Sequence, residues 1–248
     1  MIPSPIVKVL STIQKHGARA LLMGGQACVF YGAAEFSRDV DIVVLAEAAN
    51  LDRLAAALHE LQAKRIAVPD FQENFLRRGH AVHFRCDVAE ASGIRVDLMA
   101  KLRGVDGFAD LWERRTTLAD DLGHEYHLLS LNDLVQAKKT QRDKDWPMIA
   151  RLVEANYQAN RDNPTDEQVR FWLREMRTPE LLIAIAHALP AAARELQRAR
   201  PLLEHALSSD VASLESSLLA EQQAEREADR KYWQPLKKEL EELRKTKH

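Results

Sequence analysis

The sequence predicts an α/β fold of the α+β kind, in which a β-sheet flanked by helices is followed by an all-helical C-terminal region. One observation is that helical and strand-like hydrophobic patterns alternate along the first half of the chain. A second is that nearly every segment from Ser130 onward has the apolar spacing or capping residues of a helix. We therefore expect a first domain at residues 1–129 and a helical second domain with a charged tail at residues 130–248.

Short local patterns predict the elements of the first domain. Compact apolar runs favour buried strands, spaced leucines favour amphipathic helices, and glycines mark the breaks between them. In chain order we expect a helix at 6–15, a strand at 18–23, a helix at 26–32, a strand at 40–45, a helix at 51–63, two strands at 81–88 and 94–99, and an edge strand at 126–129.

Composition limits the class of protein. With 248 residues, of which 46% are hydrophobic and 29% charged, the chain can bury a core, and its net charge of −2 gives no overall bias toward nucleic acid. The two cysteines, Cys28 and Cys86, indicate reduced thiols, and no apolar stretch is long enough to span a bilayer. We expect a soluble, cytoplasmic protein without membrane contact.

The charged tail, residues 221–247, is rich in Glu, Arg and Lys and has few apolar positions. This composition favours a solvated or fraying helix over a partner-binding helical arm. A helical scaffold built on the tail is a further hypothesis, under which removal of residues 221–248 abolishes function.

The most informative pattern is Asp39-Val40-Asp41 at the start of a predicted strand. Because side chains alternate between the faces of a strand, Asp39 and Asp41 share one face while Val40 takes the other. At about 3.3 Å rise per residue, the two acids lie roughly 7 Å apart at the Cα level and repel each other unless a cation lies between them. Hard oxygen ligands in this arrangement suit Mg²⁺.

A third carboxylate, Asp97, lies in a predicted apolar strand, where an acid is unfavourable unless it is paired or bound to a metal. We expect Asp97 to join Asp39 and Asp41 on one sheet face and to complete a two-metal site. Asp87, on the neighbouring predicted strand, is the rival for this third position.

Gly24 and Gly25 end one predicted strand and open a helix. At such a turn the free backbone N–H groups and the helix dipole favour a phosphate, and glycine lets the phosphate approach the backbone closely. A plain turn is the alternative interpretation of this pair.

Taken together, these residues resemble the signature of the nucleotidyltransferase superfamily that includes DNA polymerase beta: a small-residue pair, a helix, then Asp-hydrophobic-Asp at the start of a strand. The later segment at 128–152, with Leu-Ser-Leu-Asn-Asp-Leu-Val-Gln-Ala-Lys-Lys and then Arg-Asp-Lys-Asp, resembles the helix after the catalytic sheet in bacterial toxin-like members, the abortive-infection and minimal nucleotidyltransferase group. The resemblance covers about residues 18–155. It implies a mixed sheet of the nucleotidyltransferase type and a catalytic first domain.

The resemblance also implies roles for single residues. Asp39 and Asp41 match the metal-binding pair, and Asp97 matches the third acid, which helps to deprotonate the acceptor hydroxyl. The implied cofactor is Mg²⁺, with two ions in the site, or Mn²⁺ in its place. The implied nucleotide-binding residues are Gly24, Gly25, Ser37, Arg38, Lys138 and Arg142.

The two cations at 138 and 142 have support from spacing as well. On a helix, Lys138 and Arg142 continue the apolar stripe of Leu131 and Val135, so we expect them to point into the cleft. The alternative is a surface ion-pair network with the nearby acids Asp133, Asp143 and Asp145.

The segment before the acid pair departs from the resemblance. Many toxin-like relatives carry Arg-x-Thr-x-Asp there, whereas this chain has Glu35-Phe36-Ser37-Arg38-Asp39. Ser37 can replace the threonine hydroxyl, but Glu35 reverses a charge. The His80-x-x-His83 and His124-x-x-His127 pairs lack a suitably spaced third ligand and indicate ordinary strand histidines.

The leading functional hypothesis is an enzyme that transfers a nucleoside monophosphate from an NTP to a hydroxyl and releases pyrophosphate. The acceptor is expected to be an RNA such as tRNA or a protein side chain, with a small molecule as a further option. Because toxin-like relatives pair with antitoxins, the resemblance implies an antitoxin partner. The alternative hypothesis is a catalytically silent binding or regulatory module, which Glu35 favours.

Overall fold

The computed structural model describes residues 4–119 and 123–246. Alternating helices and strands occupy the first half, as the sequence predicts. They are α1 (Ser4–Lys15), β1 (Ala20–Met23), α2 (Gly24–Phe30), β2 (Asp39–Val44), α3 (Ala48–Glu60), β3 (Lys64–Arg65), α4 (Glu73–Arg78), β4 (Val82–Arg85), β5 (Arg95–Met99), α5 (Phe108–Glu113), β6 (Thr116–Ala119) and β7 (Glu125–Leu128).

All the secondary-structure elements described after β7 are helices, which confirms the predicted all-helical C-terminal region. Thr165 caps one of these helices by accepting a hydrogen bond from the Gln168 backbone, in a reciprocal capping box. The helices are α6 (Leu131–Ala137), α7 (Asp145–Asn160), α8 (Asp166–Glu175), α9 (Pro179–Ala188), α10 (Pro190–Leu196), α11 (Leu203–Leu207) and α12 (Val211–Lys245).

The strands form one mixed sheet in the order β3-β4-β5-β2-β1-β7-β6. Parallel pairing joins β2 to β5 and β1 to β7, and the other neighbours are antiparallel. The chain therefore has the predicted α/β fold of the α+β kind, with a mixed sheet.

The prediction of an edge strand at 126–129 was wrong in its position. This strand is β7, which pairs with β1 on one side and with β6 on the other, so β6 occupies the edge. The sequence predicts no strand at β6 because its Thr-Thr-Leu-Ala segment lacks a fully buried residue and gives only a weak apolar pattern.

One face of the central strands supplies the core of the sheet. Val40 and Ile42 on β2, and Val96 and Leu98 on β5, are at most 1% exposed. Burial of each such side chain contributes about 1.5–3 kcal/mol to folding. Because strand side chains alternate, the residues between these four are left on the opposite face, where the acids of β2 and β5 lie.

Two compact units divide the chain. The first comprises the described residues within 1–30, 34–137 and 232–248, and the second comprises 31–33 and 138–231. The sheet-bearing unit thus includes α6 and the last part of α12, in addition to the strands. The division into domains at 1–129 and 130–248 stays a prediction.

For the described residues the prediction of a solvated helix in the tail is confirmed at most positions, which are exposed or half-buried, but the prediction of fraying was wrong. Helix α12 runs without a break from Val211 to Lys245, and Leu236 is buried. Glu239 lies 2.7 Å from Nε2 of the buried His80 and also pairs with Arg78. A few apolar residues and one acid on the same helix face are therefore enough to anchor a segment whose composition is mainly charged.

Candidate active site

The parallel pairing of β2 and β5 brings the acids together. In this register Asp41 lies opposite Asp97, and Asp39 lies opposite Arg95. Neighbouring strands are about 4.8 Å apart, so the side chains of Asp41 and Asp97 leave the same face of the sheet within reach of each other. The structure thus places the three predicted acids on one face, as the alternation on each strand predicts.

Two neighbours already engage the carboxylate of Asp97. Arg95 Nε donates to Asp97 Oδ1 at 2.7 Å, and His83 Nδ1, directly across on β4, lies 2.8 Å from the same oxygen. Burial opposes ionisation of Asp97, but the hydrogen bonds from His83 and Arg95 outweigh it, so the pKa of the carboxyl lies below its ordinary value. Asp97 is therefore a carboxylate at neutral pH.

Arg95 is a cation placed among three acids. The hydrogen bond to Asp97 raises the pKa of the guanidinium against the effect of burial, and the charges of Asp97, Asp39 and Asp41 raise it further. Its Nη2 also lies 3.1 Å from His83 Nδ1. The positive charge of the guanidinium thus offsets part of the repulsion that is predicted between the three acids.

Sequence patterns alone missed the contribution of Arg95 and His83. Arg95 precedes Asp97 by two residues on the same strand, so the two share a face. His83 reaches Asp97 only through the register between β4 and β5. The first relation was readable from alternation, whereas the second needed the pairing of two strands separated by a turn.

Gly24 lies against Asp41. Its φ is +68°, and a Cβ at this position would lie 1.9 Å from Asp41 Oδ2 and 2.6 Å from the Asp41 Cβ and Cγ. No side chain fits in that space without moving the acid. The glycine pair was expected to admit a phosphate to the backbone, and the structure shows that Gly24 first admits the side chain of Asp41.

Gly25 makes a similar approach to the loop before β2. A Cβ at Gly25 would lie 2.7 Å from Ser37 Oγ, and that hydroxyl donates to the Asp39 carbonyl at 3.4 Å. Arg38 places its guanidinium carbon 5.3 Å from the centre of the Phe36 ring. Gly24, Gly25, Ser37 and Arg38 are therefore all neighbours of the acid pair in the chain or in space.

The prediction that Lys138 and Arg142 lie on a helix, as a basic continuation of its apolar stripe, was wrong. Helix α6 ends at Ala137 and α7 begins at Asp145, so Lys138 and Arg142 lie between helices. Both approach Asp145 within the second unit: Lys138 Nζ at 3.7 Å from Oδ1 and Arg142 Nε at 2.7 Å from Oδ2. This contact matches the ion-pair alternative, and a nucleotide-binding role for the two cations stays a prediction.

The other two acids proposed for that ion-pair network have different partners. Asp143 pairs with Arg226 at 2.8 Å. Asp133 accepts two hydrogen bonds of 2.8 Å from Arg114, which itself lies in the sheet-bearing unit. Of the three acids only Asp145 pairs with Lys138 and Arg142, and because Lys138 and Asp145 are buried this pairing differs from the predicted surface network.

The rival acid and the thiols lie outside the cluster of acids. Asp87 follows β4 and pairs with Lys64 at 2.7 Å on the surface. Cys28 and Cys86 are both buried, and burial raises the pKa of the Cys86 thiol to about 11. A thiol with that pKa is protonated at neutral pH and is a poor nucleophile.

The donor set of the site consists of carboxylate oxygens, which suit Mg²⁺ or Mn²⁺. Across residues 4–119 and 123–246, no three His, Cys, Asp or Glu side chains already converge on a metal position. The contacts of Asp97 with Arg95 and His83 give a physical reason, because they hold one of its oxygens within the protein. The Asp41 carboxylate fills the space that a side chain at Gly24 would need, so Gly24 fixes the position of this acid.

The pKa of Asp97 leads to a prediction about stability. A carboxyl whose pKa is lowered by folding stabilises the fold above its unfolded pKa of about 3.9, and this contribution is lost as pH falls through the folded pKa. We expect Asp97→Asn to lower the free energy of unfolding by on the order of 1 kcal/mol near neutral pH and by less near pH 3. Urea unfolding of both chains in metal-free buffer measures this difference. An equal difference at both pH values would contradict the proposed ionised contacts.

Comparisons with known proteins add no family to these observations. No protein-family model matches the chain, and no curated protein matches it either. No helix within 4–119 and 123–246 combines the length and the apolar character that a bilayer span needs. The residues of the site therefore carry the functional proposal by themselves.

Proposed function

We propose that the chain is a metal-dependent nucleotidyltransferase of the DNA polymerase beta type. The observation that carries this proposal is the register that sets Asp41 opposite Asp97, two residues after Asp39, with Gly24 closed against Asp41. Three carboxylates on one face of a mixed sheet are unfavourable for folding, since they repel each other. Such a cluster is expected where a cationic metal and a polyphosphate bind.

The proposed reaction transfers a nucleoside monophosphate. An acceptor hydroxyl oxygen forms a bond to the α-phosphorus of an NTP, the bond from that phosphorus to the β-bridging oxygen breaks, and pyrophosphate leaves with the electron pair. When bound, Mg²⁺ supplies positive charge that offsets the charge of the phosphates. Asp39 and Asp41 would hold the metal, and an ionised Asp97 would orient the acceptor hydroxyl and take its proton.

The nucleotide-binding part of the proposal rests on the glycine turn and the loop before β2. The backbone of Gly24 packs against Asp41 and that of Gly25 against Ser37, and Arg38 adds a cation next to the first acid. As acceptor we propose a hydroxyl of an RNA such as tRNA, or of a protein, with an antitoxin as a regulatory partner, as the family resemblance implies.

A second candidate function is a catalytically silent binding module. Arg95 favours it, because its guanidinium already neutralises part of the charge that a metal would otherwise offset. Glu35 favours it as well, since it places a negative charge four residues before Asp39. Under this hypothesis the role of Asp97 is to form its ion pairs with Arg95 and His83.

Label transfer tests the first proposal against the second. Each of the four α-labelled NTPs is incubated with Mg²⁺ or Mn²⁺, total RNA and total protein, using the native chain, an Asp39→Ala/Asp41→Ala chain and an Asp52→Ala chain. Asp52 is an exposed acid on α3 and serves as the matched control. We expect label in one acceptor class with the native and Asp52→Ala chains only. Equal signals from native chain and double variant would contradict the proposal and favour the silent module.

A further inference from the structure

Phe36 is an exposed aromatic residue beside the candidate site. Its exposure of 60% exceeds that of the other large hydrophobic residues found at the surface, Leu219 at 53%, Val211 at 43% and Ile66 at 42%. An aromatic ring left in water forgoes the favourable burial of its apolar area. A ligand that covers the ring would recover that free energy.

The loop that carries Phe36 is held beside the candidate site by its next residue. Ser37, the next residue, packs against Gly25 and donates to the Asp39 carbonyl. Three residues span at most about 11 Å, so the Cα of Phe36 lies within that distance of the first acid. A nucleotide whose phosphates meet the acids extends its base over a comparable distance.

Arg38 completes the surface that Phe36 offers. Its guanidinium carbon lies 5.3 Å from the ring centre, in the range of a cation–π contact. Glu35, also exposed, balances the charge of Arg38 within this segment. Attraction to a ligand at Phe36 therefore comes mainly from the face of the ring, which suits a flat aromatic group.

We propose that Phe36 is a stacking platform for a nucleobase bound at the site, and that Arg38 holds the ring in place. The proposal rests on the nucleotidyltransferase function proposed above and adds a residue that binds the base rather than the phosphates. Every nucleobase presents a π-face, so stacking on Phe36 is tolerant of sequence. The base belongs either to the incoming NTP or to the acceptor end of a single-stranded RNA.

The test compares full-length chains that differ at residue 36. The variants are Phe36→Leu, which keeps an apolar side chain but removes the ring, and Phe36→Tyr, which keeps the ring. Ile66→Ala, at another exposed apolar residue of the same unit, is the control. Calorimetric titration in Mg²⁺ measures the affinity for each of the four NTPs, for inorganic tripolyphosphate and for a short single-stranded RNA.

If the base of the NTP stacks on the ring, Phe36→Leu weakens binding of the NTPs about tenfold and leaves tripolyphosphate binding unchanged. If the acceptor base stacks there, the same loss is seen for the RNA and the NTP affinities stay native. Phe36→Tyr and Ile66→Ala bind like the native chain in both cases. Because the surface is nearly neutral, the loss should be similar at low and high salt.

Two outcomes would contradict the proposal that a nucleobase stacks on Phe36. One is native affinity of the Phe36→Leu chain for both NTPs and RNA, and the other is an equal loss of tripolyphosphate binding, which would indicate a change in the phosphate site. In either case NTP binding that depends on Asp41 leaves the proposed function standing. Conversely, RNA binding that depends on Phe36 without any NTP binding supports the platform and contradicts the transferase proposal.

Discussion

Replacement of Asp41 by asparagine is expected to reduce nucleotide transfer by about a thousandfold. Asp41 lies opposite Asp97 across the β2–β5 pair and is the residue against which Gly24 closes. A bound metal contributes several kcal/mol of charge stabilisation in the transition state, and each 1.36 kcal/mol corresponds to a factor of ten in rate. The amide has nearly the same shape as the carboxylate, so the fold should remain while the charge that holds the metal is lost.

Two measurements separate charge from structure for this variant. The transfer rate is measured with the acceptor class that the native chain labels, and Mn²⁺ binding is followed by electron paramagnetic resonance. Asp52→Asn, on the exposed face of α3, is the control and should behave like the native chain. A native transfer rate in the Asp41→Asn chain would place the reactive centre elsewhere, whereas retained partner binding without any transfer would fit the silent module.

Replacement of Gly24 by alanine is expected to have the second largest effect. The added Cβ would overlap Asp41 Oδ2 at 1.9 Å, so the acid must move away from the position that it shares with Asp97. Overpacking of this kind and a left-handed φ of +68° together are expected to lower the free energy of unfolding by about 2–5 kcal/mol. Because the Asp41 carboxylate is displaced, the transfer rate and the affinity for Mn²⁺ should both decrease.

Gly17 provides the matched control for this substitution. Its φ is +65°, close to that of Gly24, but no atom lies within 4 Å of the Cβ that alanine would add. Gly17→Ala should therefore show only the backbone effect, about 1–3 kcal/mol in urea unfolding, with native transfer and native Mn²⁺ binding. Equal losses of transfer in the two variants would show that the loss comes from strain at a left-handed backbone position. The contact between Gly24 and Asp41 would then not explain it.

The acid face was predictable from the sequence because its determinants are local. Alternation along β2 assigns Asp39 and Asp41 to one face, and an acid within the apolar run of β5 has few favourable positions other than that same face. The glycine pair was predictable for a similar reason, since a strand and a helix meet there. The Asp39–Asp41 pair and the glycine turn need no knowledge of which strands pair, whereas the approach of Asp97 depends on the pairing of β2 with β5.

Features that depend on pairing or on the exact end of a helix were not predictable. His83 was interpreted as an ordinary strand histidine, and only the β4–β5 register shows its approach to Asp97. The helical spacing of Leu131 and Val135 continues at Lys138, although the helix ends at Ala137 and Lys138 lies near Asp145. The anchoring of α12 by Glu239 depends on His80, which lies far away in the sequence.

The discontinuous composition of the sheet-bearing unit has a consequence for the order in which the chain is made. Its last segment begins at Tyr232, after an excursion through residues 138–231. At roughly 5–20 residues per second, a ribosome needs about 5–20 s to add these roughly 90 residues. During that interval His80 lacks Glu239, its partner on α12, although the strands are already synthesised. The nascent unit can therefore reach its final packing only after the ribosome has added the segment that begins at Tyr232.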